Sequence, residues 1–286
     1  MMNAFKKTVL PFLSILLIVG ILSGCGQNAG TNQAATSEGS GEIQEVKIGA
    51  TVGPYSDMAT KAIKPILEQK GYKVEVIEFS DYIQPNVALG NGSLNANVYQ
   101  HRIYMEAFAK DNNLELSEVL PIPTVPMGVY SKKYKSFDEV KEGSTVAIPN
   151  DPTNLARALL ILQDVGLITF DQNVNPLTVS EKDIIENPKN LVFQPLEAAQ
   201  LPRSLESTDL SAINGNFALS AGLSLQEALQ LENIPADYLN LVVVNTKDLE
   251  STFTKDIREA VQSAEFEKVI DEQFQGYSKP EWMKNR

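Results

Sequence analysis

From Glu45 onward, strand-like and helix-like patterns alternate along the chain, and the scheme runs through twice with a proline-rich stretch between. "EVKIGAT" sets Val46, Ile48 and Ala50 on one face of a strand. "SDMATKAIKPILEQKGY" reads as a helix stopping before Gly71, with Asp57 near its start and a kink expected at Pro65. "KVEVIEF" is a second strand. A short helix from Pro85 to Leu89, a short strand near Asn95–Val98 and a helix over His101–Lys110 follow, the last with Ile103, Met105 and Phe108 inward. "PIPTVPMG", Pro121 to Gly128, is extended and is the expected crossing between two bodies. Beyond it, "GVYSKK" and "STVAIPN" are strands. "DPTNLARALLILQDVGL" is a helix capped by Asp151, with Pro152 at its first position and Gly166 at its end. "NLVFQPL", "LSAIN" and "YLNLVVVN" are strands, the last buried on both faces. "EAAQLPRSL" and "FALSAGL" are helical, and two helices near Ser251–Ala264 and Phe266–Phe274 complete the body. Alternation of this kind predicts α/β layers, and two sets of it predict two lobes.

The segment ahead of Glu45 reads differently. Lys6 and Lys7 precede an apolar run from Val9 to Leu22, followed by "LSGC" ending at Cys25. A charged start, a short apolar core and small residues before a cut are the marks of an export signal. The apolar run is short for a spanning helix, which needs about 20 residues. The four residues at its end resemble the lipobox of bacterial lipoproteins, in which the cysteine is lipidated and becomes the mature N-terminus. Cys25 is the only cysteine, so the body is expected to hold by its core without disulfides. Gly26 to Gln44 is rich in Gly, Ser, Thr, Asn and Gln and reads as a flexible tether of roughly 20–25 Å reach.

Several function classes find no support. The formal net charge is −12 and no basic run interrupts it, which argues against a nucleic-acid partner. His101 is the only histidine, too few donors for a zinc site, and no Gly-x-Ser-x-Gly elbow or phosphate loop occurs. Neither a catalytic residue, a metal nor a cofactor is indicated.

Three stretches hold candidate binding residues. In "IPNDPTNLARALL", Asn154 and Arg157 share a helix face just beyond a helix start, where backbone N–H groups and a two-pronged guanidinium suit a carboxylate. Alternatively, Arg157 is a surface charge on an amphipathic helix. In "SAINGNFA", Asn214 stands at a predicted strand end and can meet an ammonium and a carboxylate together, or can simply serve a turn before Gly215. In "VYQHRIY", Tyr99, His101 and Tyr104 follow another strand end, with Tyr82 beyond a third. These rings are either ordinary packing or the wall of an apolar pocket that suits a thioether.

The segments "DYIQPNVAL", "NANVYQHRIYME", "YSKKYKSFDEV", "VAIPNDPTNLARALLILQ", "ENPKNL", "LEAAQLPRSL" and "AIN" occur in order. With the lipobox, they make the chain resemble the NlpA/MetQ family of substrate-binding lipoproteins, whose studied members bind methionine for an ABC importer. The resemblance covers nearly everything from Val46 on. It implies a two-lobed periplasmic-binding-protein-like fold of type II, each lobe a mixed sheet flanked by helices. Residues 1–24 would be the signal peptide and 25–44 the lipidated (palmitate-bearing) Cys25 and tether. One lobe would take 45–124 with 238–286, the other 125–237. The resemblance further implies that Tyr82, Tyr99, His101 and Tyr104 enclose a methionine side chain, while Asn154, Arg157 and Asn214 hold the amino-acid head group. The expected setting is a monomer, lipid-anchored on the extracytoplasmic side of the membrane, delivering L-methionine to a permease with its ATPase. Many members carry Phe where this chain has Tyr99, so a further hydroxyl must be placed. Val125 stands where several members have an aromatic, which leaves room on that side, and D-methionine or a methionine dipeptide is the alternative ligand. An enzyme on the same fold, or a surface antigen without a ligand, is the rival class. Arg157 is expected to contribute little to the core, so its loss should leave the unliganded fold intact.

Overall fold

The computed structural model describes residues 44–171 and 173–284. The expected signal peptide, Cys25 and the tether up to residue 43 lie outside the described residues; Gln44, expected to end the tether, instead opens the first strand. Among the described residues no helix is long and apolar enough to cross a membrane.

The strands in chain order are β1 (Gln44–Thr51), β2 (Tyr72–Phe79), β3 (Ala96–His101), β4 (Leu116–Pro121), β5 (Gly128–Tyr130), β6 (Thr145–Pro149), β7 (Thr169–Phe170), β8 (Ile184–Glu186), β9 (Val192–Leu196), β10 (Leu210–Ile213), β11 (Gln230–Leu231) and β12 (Asn240–Asn245). They form two mixed five-stranded sheets, ordered β2-β1-β3-β12-β4 and β11-β5-β10-β6-β9, and a small β7–β8 ribbon. In the first sheet β1 runs parallel to β2 and β3, while β12 is antiparallel to β3 and β4. In the second, β6 is parallel to β9 and β10, and β5 is antiparallel to β10 and β11. The molecule is two-lobed, one lobe around each sheet. The chain leaves the first sheet after Pro121 and returns to it at Asn240.

The helices are α1 (Pro54–Met58), α2 (Lys64–Gln69), α3 (Gln84–Gly90), α4 (Arg102–Asn112), α5 (Pro152–Asp164), α6 (Leu201–Ser204), α7 (Gly215–Ser220), α8 (Thr252–Val261), α9 (Ala264–Gln273) and α10 (Glu281–Lys284). The first core joins Val46, Ile48 and Val98 to Ile63, Leu67, Ile257 and Phe266, so α8 and α9 pack on the first sheet. The second core joins Val129, Val146 and Ile148 to Ala156, Leu159 and Leu162 of α5. All six residues of β12 are buried, as its unbroken apolar run predicts.

Local chemistry explains where the chain departs from expectation. Pro65 does not simply bend one long helix. Residues Ala59–Ile63 open into a π turn between α1 and α2, with the Lys64 N–H reaching back to the Ala59 carbonyl. Proline lacks an N–H and its ring crowds the preceding turn, and a widened turn relieves both. β3 runs on to His101 instead of ending near Val98, so His101 is the last strand residue and caps α4. The buried residues of α4 are accordingly Tyr104 and Met105, whereas Ile103 and Phe108 are half-buried. β4, an edge strand paired only to β12, has no counterpart in the sequence reading.

Candidate functional site

Three strand ends meet between the lobes: β3 running into α4, β6 into α5, and β10 into α7. Open α/β sheets place ligands beyond such ends. A cavity with about 330 Å³ of empty space lies here, and all seven expected residues, Tyr82, Tyr99, His101, Tyr104, Asn154, Arg157 and Asn214, line it.

The second-lobe wall is built from the start of α5. Asp151 caps the helix by accepting the Asn154 N–H at 2.9 Å. Its two carboxylate oxygens also accept from Asn154 Nδ2, each at 3.0 Å. That fixes the amide and presents Asn154 Oδ1 toward the cavity. Three groups converge on this oxygen: Arg157 Nη1 at 2.9 Å, Asn214 Nδ2 at 2.8 Å, and His101 Nε2 from the opposite lobe at 3.4 Å. With Nδ2 so committed, Asn214 Oδ1 is buried without a partner among the described residues. A buried acceptor of this kind carries a desolvation penalty until a donor reaches it.

Arg157 is 5% exposed. Its Nε and Nη2 grip both oxygens of Glu232, at 2.9 and 2.6 Å, and its guanidinium lies 5.3 Å from the Tyr238 ring centroid. Burial works against the charge, but the adjacent, hydrogen-bonded carboxylate outweighs it and the guanidinium pKa is raised. Three of its five N–H groups are thus engaged, and two have no partner among the described residues.

His101 is held neutral. Burial, then the nearby Arg157 cation, push its pKa well below the usual imidazole value, with the Asn154 contact opposing. Nδ1 accepts the Tyr104 N–H at 3.1 Å, so the proton sits on Nε2 and points at Asn154. Both ring nitrogens therefore have partners within the site.

The first-lobe wall is aromatic. Tyr82 stacks on Tyr99 at 5.8 Å and meets Tyr104 edge-on at 6.0 Å. The Tyr82 carbonyl accepts both the Tyr99 hydroxyl at 2.7 Å and the Tyr104 hydroxyl at 3.1 Å. The further hydroxyl of Tyr99 is thus placed on backbone, behind the wall. The Tyr82 hydroxyl crosses to the other lobe and donates to Asn216 Oδ1 at 2.6 Å. Burial raises the pKa of all three phenols, which stay donors. Beneath the wall, Asn86, Asn97 and Gln100 satisfy one another in a closed amide cluster. On the Val125 side, the Tyr55 hydroxyl approaches the Val125 N–H at 3.3 Å, and Val125 packs tightly on Gly215.

Glu232, Tyr238 and Asn216 were not expected at the site. Glu232 sits in "LENIPADY", 75 residues from Arg157, and no local spacing links the two. Asn216 carries a faint signal, two residues beyond Asn214 at the start of the same helix.

Residues 46–282 match the model of the NlpA lipoprotein family. The D-methionine-binding lipoprotein MetQ of Salmonella typhi is 38% identical across 98% of this chain and 100% of its own length. The crystal structure of the methionine-binding protein MetQ superposes with a TM-score of 0.78 at 39% identity, covering 82% of this chain and 97% of that one. A nutrient-binding protein from Burkholderia cenocepacia, bound to methionine, gives 0.77 at 40% identity over 81% of this chain and 97% of that one.

Proposed function

The chain belongs to the NlpA lipoprotein family, and from that premise we propose that it captures L-methionine between its lobes and delivers it to an ABC importer. One observation carries the reading. A buried arginine with two N–H groups and a buried Asn214 Oδ1, all without partners among the described residues, face a wall of tyrosines across one small cavity. The first pair suits the carboxylate and ammonium of an amino acid, and the wall suits a thioether, at roughly 0.3–1.5 kcal/mol per sulfur–aromatic contact. In this assignment Arg157 holds the carboxylate and Asn214 accepts from the ammonium; Asn154, expected to donate to the carboxylate, instead presents an acceptor oxygen that orients Arg157 and Asn214, because its donors are spent on Asp151. Tyr82, Tyr99, Tyr104 and His101 enclose the side chain. Ligand bridges the two half-sites and so favours the closed form by its higher affinity for it.

Residues 45–124 with 238–286 form one lobe and 125–237 the other in this reading. Residues 1–24 are an export signal, and Cys25, lipidated, anchors the protein on the extracytoplasmic face through the tether of residues 26–43. Binding, not catalysis, is the role supported by a histidine with both nitrogens engaged. The names of the sequence relatives favour a second reading, D-methionine as the ligand.

Calorimetric titration of L-methionine, D-methionine, L-methionine carboxamide and a methionine dipeptide tests the assignment. L-Methionine should bind most tightly and its carboxamide far more weakly. Tighter binding of the D-enantiomer or the dipeptide would reassign the ligand, and equal affinity for acid and carboxamide would remove Arg157 from the head group. Separately, Cys25→Ser should release the protein from the membrane and leave ligand affinity unchanged.

A further inference from the structure

Glu232 is a buried carboxylate that the capture mechanism above does not use. It follows β11, and its side chain is 6% exposed, as is that of Arg157. Its backbone N–H donates to the Met127 carbonyl at 2.8 Å, and its Oε2 accepts the Met127 N–H at 3.1 Å. Both oxygens are further occupied by the Arg157 fork. The carboxylate is therefore immobile and has little capacity left to touch a ligand.

What it supplies is charge. The described residues lining the cavity include one cation, Arg157, and no carboxylate. His101 adds no charge, because its imidazole is neutral. Asp151 lies behind Asn154, hydrogen-bonded to the start of α5 and to the Asn154 amide, and its charge reaches the tyrosine wall rather than the guanidinium edge. Glu232 is the anion bound directly to the Arg157 guanidinium, and it cancels the charge of the one cation in the wall. A cation neutralised from behind suits a ligand that brings its own cation beside its carboxylate. A lone buried guanidinium would hold any carboxylate and repel an ammonium beside it.

Resting on the amino-acid reading of the cavity, we propose that Glu232 is a positioning residue that makes the site select zwitterions: by neutralising Arg157 from behind, it favours α-amino acids over carboxylates that lack a free ammonium. Its second effect is geometric. By taking one edge of the guanidinium, it leaves to the ligand the two N–H groups that neither it nor Asn154 engages.

The test compares L-methionine with 4-(methylthio)butanoate, which keeps the thioether and carboxylate but has no ammonium. Both are titrated calorimetrically into wild type, Glu232→Gln and Glu232→Asp. Wild type should prefer methionine strongly. In Glu232→Gln that preference should fall on the order of 10-fold or more, with the butanoate binding as well as before or better. Glu232→Asp retains the charge and should keep the preference. A merely structural role would loosen Arg157 and weaken both ligands alike; an unchanged ratio in Glu232→Gln therefore overturns the proposal, as does an unchanged affinity for both. Where the Gln variant does not fold, Glu232→Met, uncharged and of similar volume, takes its place with the same expected ratio. Failure of wild type to bind methionine at all would instead overturn the ligand assignment.

Discussion

His101 is fixed in one protonation state from two sides, and this has a consequence in pH. Burial and the Arg157 cation hold its folded pKa well below the ordinary value of about 6.5. Between those two values the unfolded chain binds the proton and the folded chain does not, so acid favours unfolding. The stabilisation is complete above about pH 6.5 and declines as pH falls below it, by up to about 1.4 kcal/mol per pH unit. His101→Asn supplies a capping oxygen for α4 in place of Nδ1 and removes the titration. Urea denaturation of both proteins near pH 7 and pH 5.5 should show wild type losing about 1 kcal/mol more than the variant; equal losses would mean the imidazole titrates normally. Arg157 belongs to the same scale. Its bond to buried Glu232 reverses the expectation that its removal leaves the unliganded fold intact. Arg157→Ala should cost about 3–5 kcal/mol of unliganded stability by leaving an unpaired buried carboxylate, and adding Glu232→Gln should recover most of it. A single variant within about 1 kcal/mol of wild type would show Glu232 to be hydrated or otherwise compensated. Sequence marked Asn154 and Arg157 because cap, first turn and guanidinium fall within one short motif. It did not mark Glu232, because an ion pair across 75 residues leaves no local trace.

Element α7 shows how the lobes meet. Asn216, in its first turn, accepts the Tyr82 hydroxyl and donates to Thr51 Oγ1 at 3.4 Å, while Ser220 Oγ lies 3.0 Å from the Val52 carbonyl. α1 approaches closely here because Gly53 is left-handed, φ 84°, and a Cβ on it would stand 2.1 Å from Ser220 Oγ. In the capture reading proposed above the lobes part without ligand, and removing the Asn216 side chain then orphans a buried phenol only when they close. Asn216→Ala should therefore raise the methionine Kd by about 5- to 150-fold, matching the 1–3 kcal/mol of an unsatisfied buried group. Tyr82→Phe in the same protein should restore part of it. Affinity within twofold of wild type in the single variant would locate the closing contacts elsewhere. At this scale most of the fold was legible. Alternation marked β1 and β2, an unbroken apolar run marked β12, and cap chemistry marked α5. β4 was not, because "LSEVLP" lies at a sheet edge with four of its six residues only half-buried, so its alternation is weak. The π turn before Pro65 was missed because proline signals a fault in the helix but not which way the helix absorbs it.

Across the whole molecule, the order of strands in space differs from their order in the chain. β12 lies inside the first sheet, between β3 and β4, yet it comes from beyond the entire second sheet, whose strands all fall between residues 128 and 231. β4 has no other neighbour in its sheet. A chain ending at Leu239 should therefore leave β4 unpaired and one edge of β3 open, while the second sheet holds its full set. Hydrogen exchange on such a truncated chain should find β10 and β6 protected and β4 fast; protection of β4 equal to that in the complete protein would refute this. During synthesis the same topology sets an order of completion: the sheet whose strands emerge first cannot close until the stretch from Asn240 onward has followed every strand of the other.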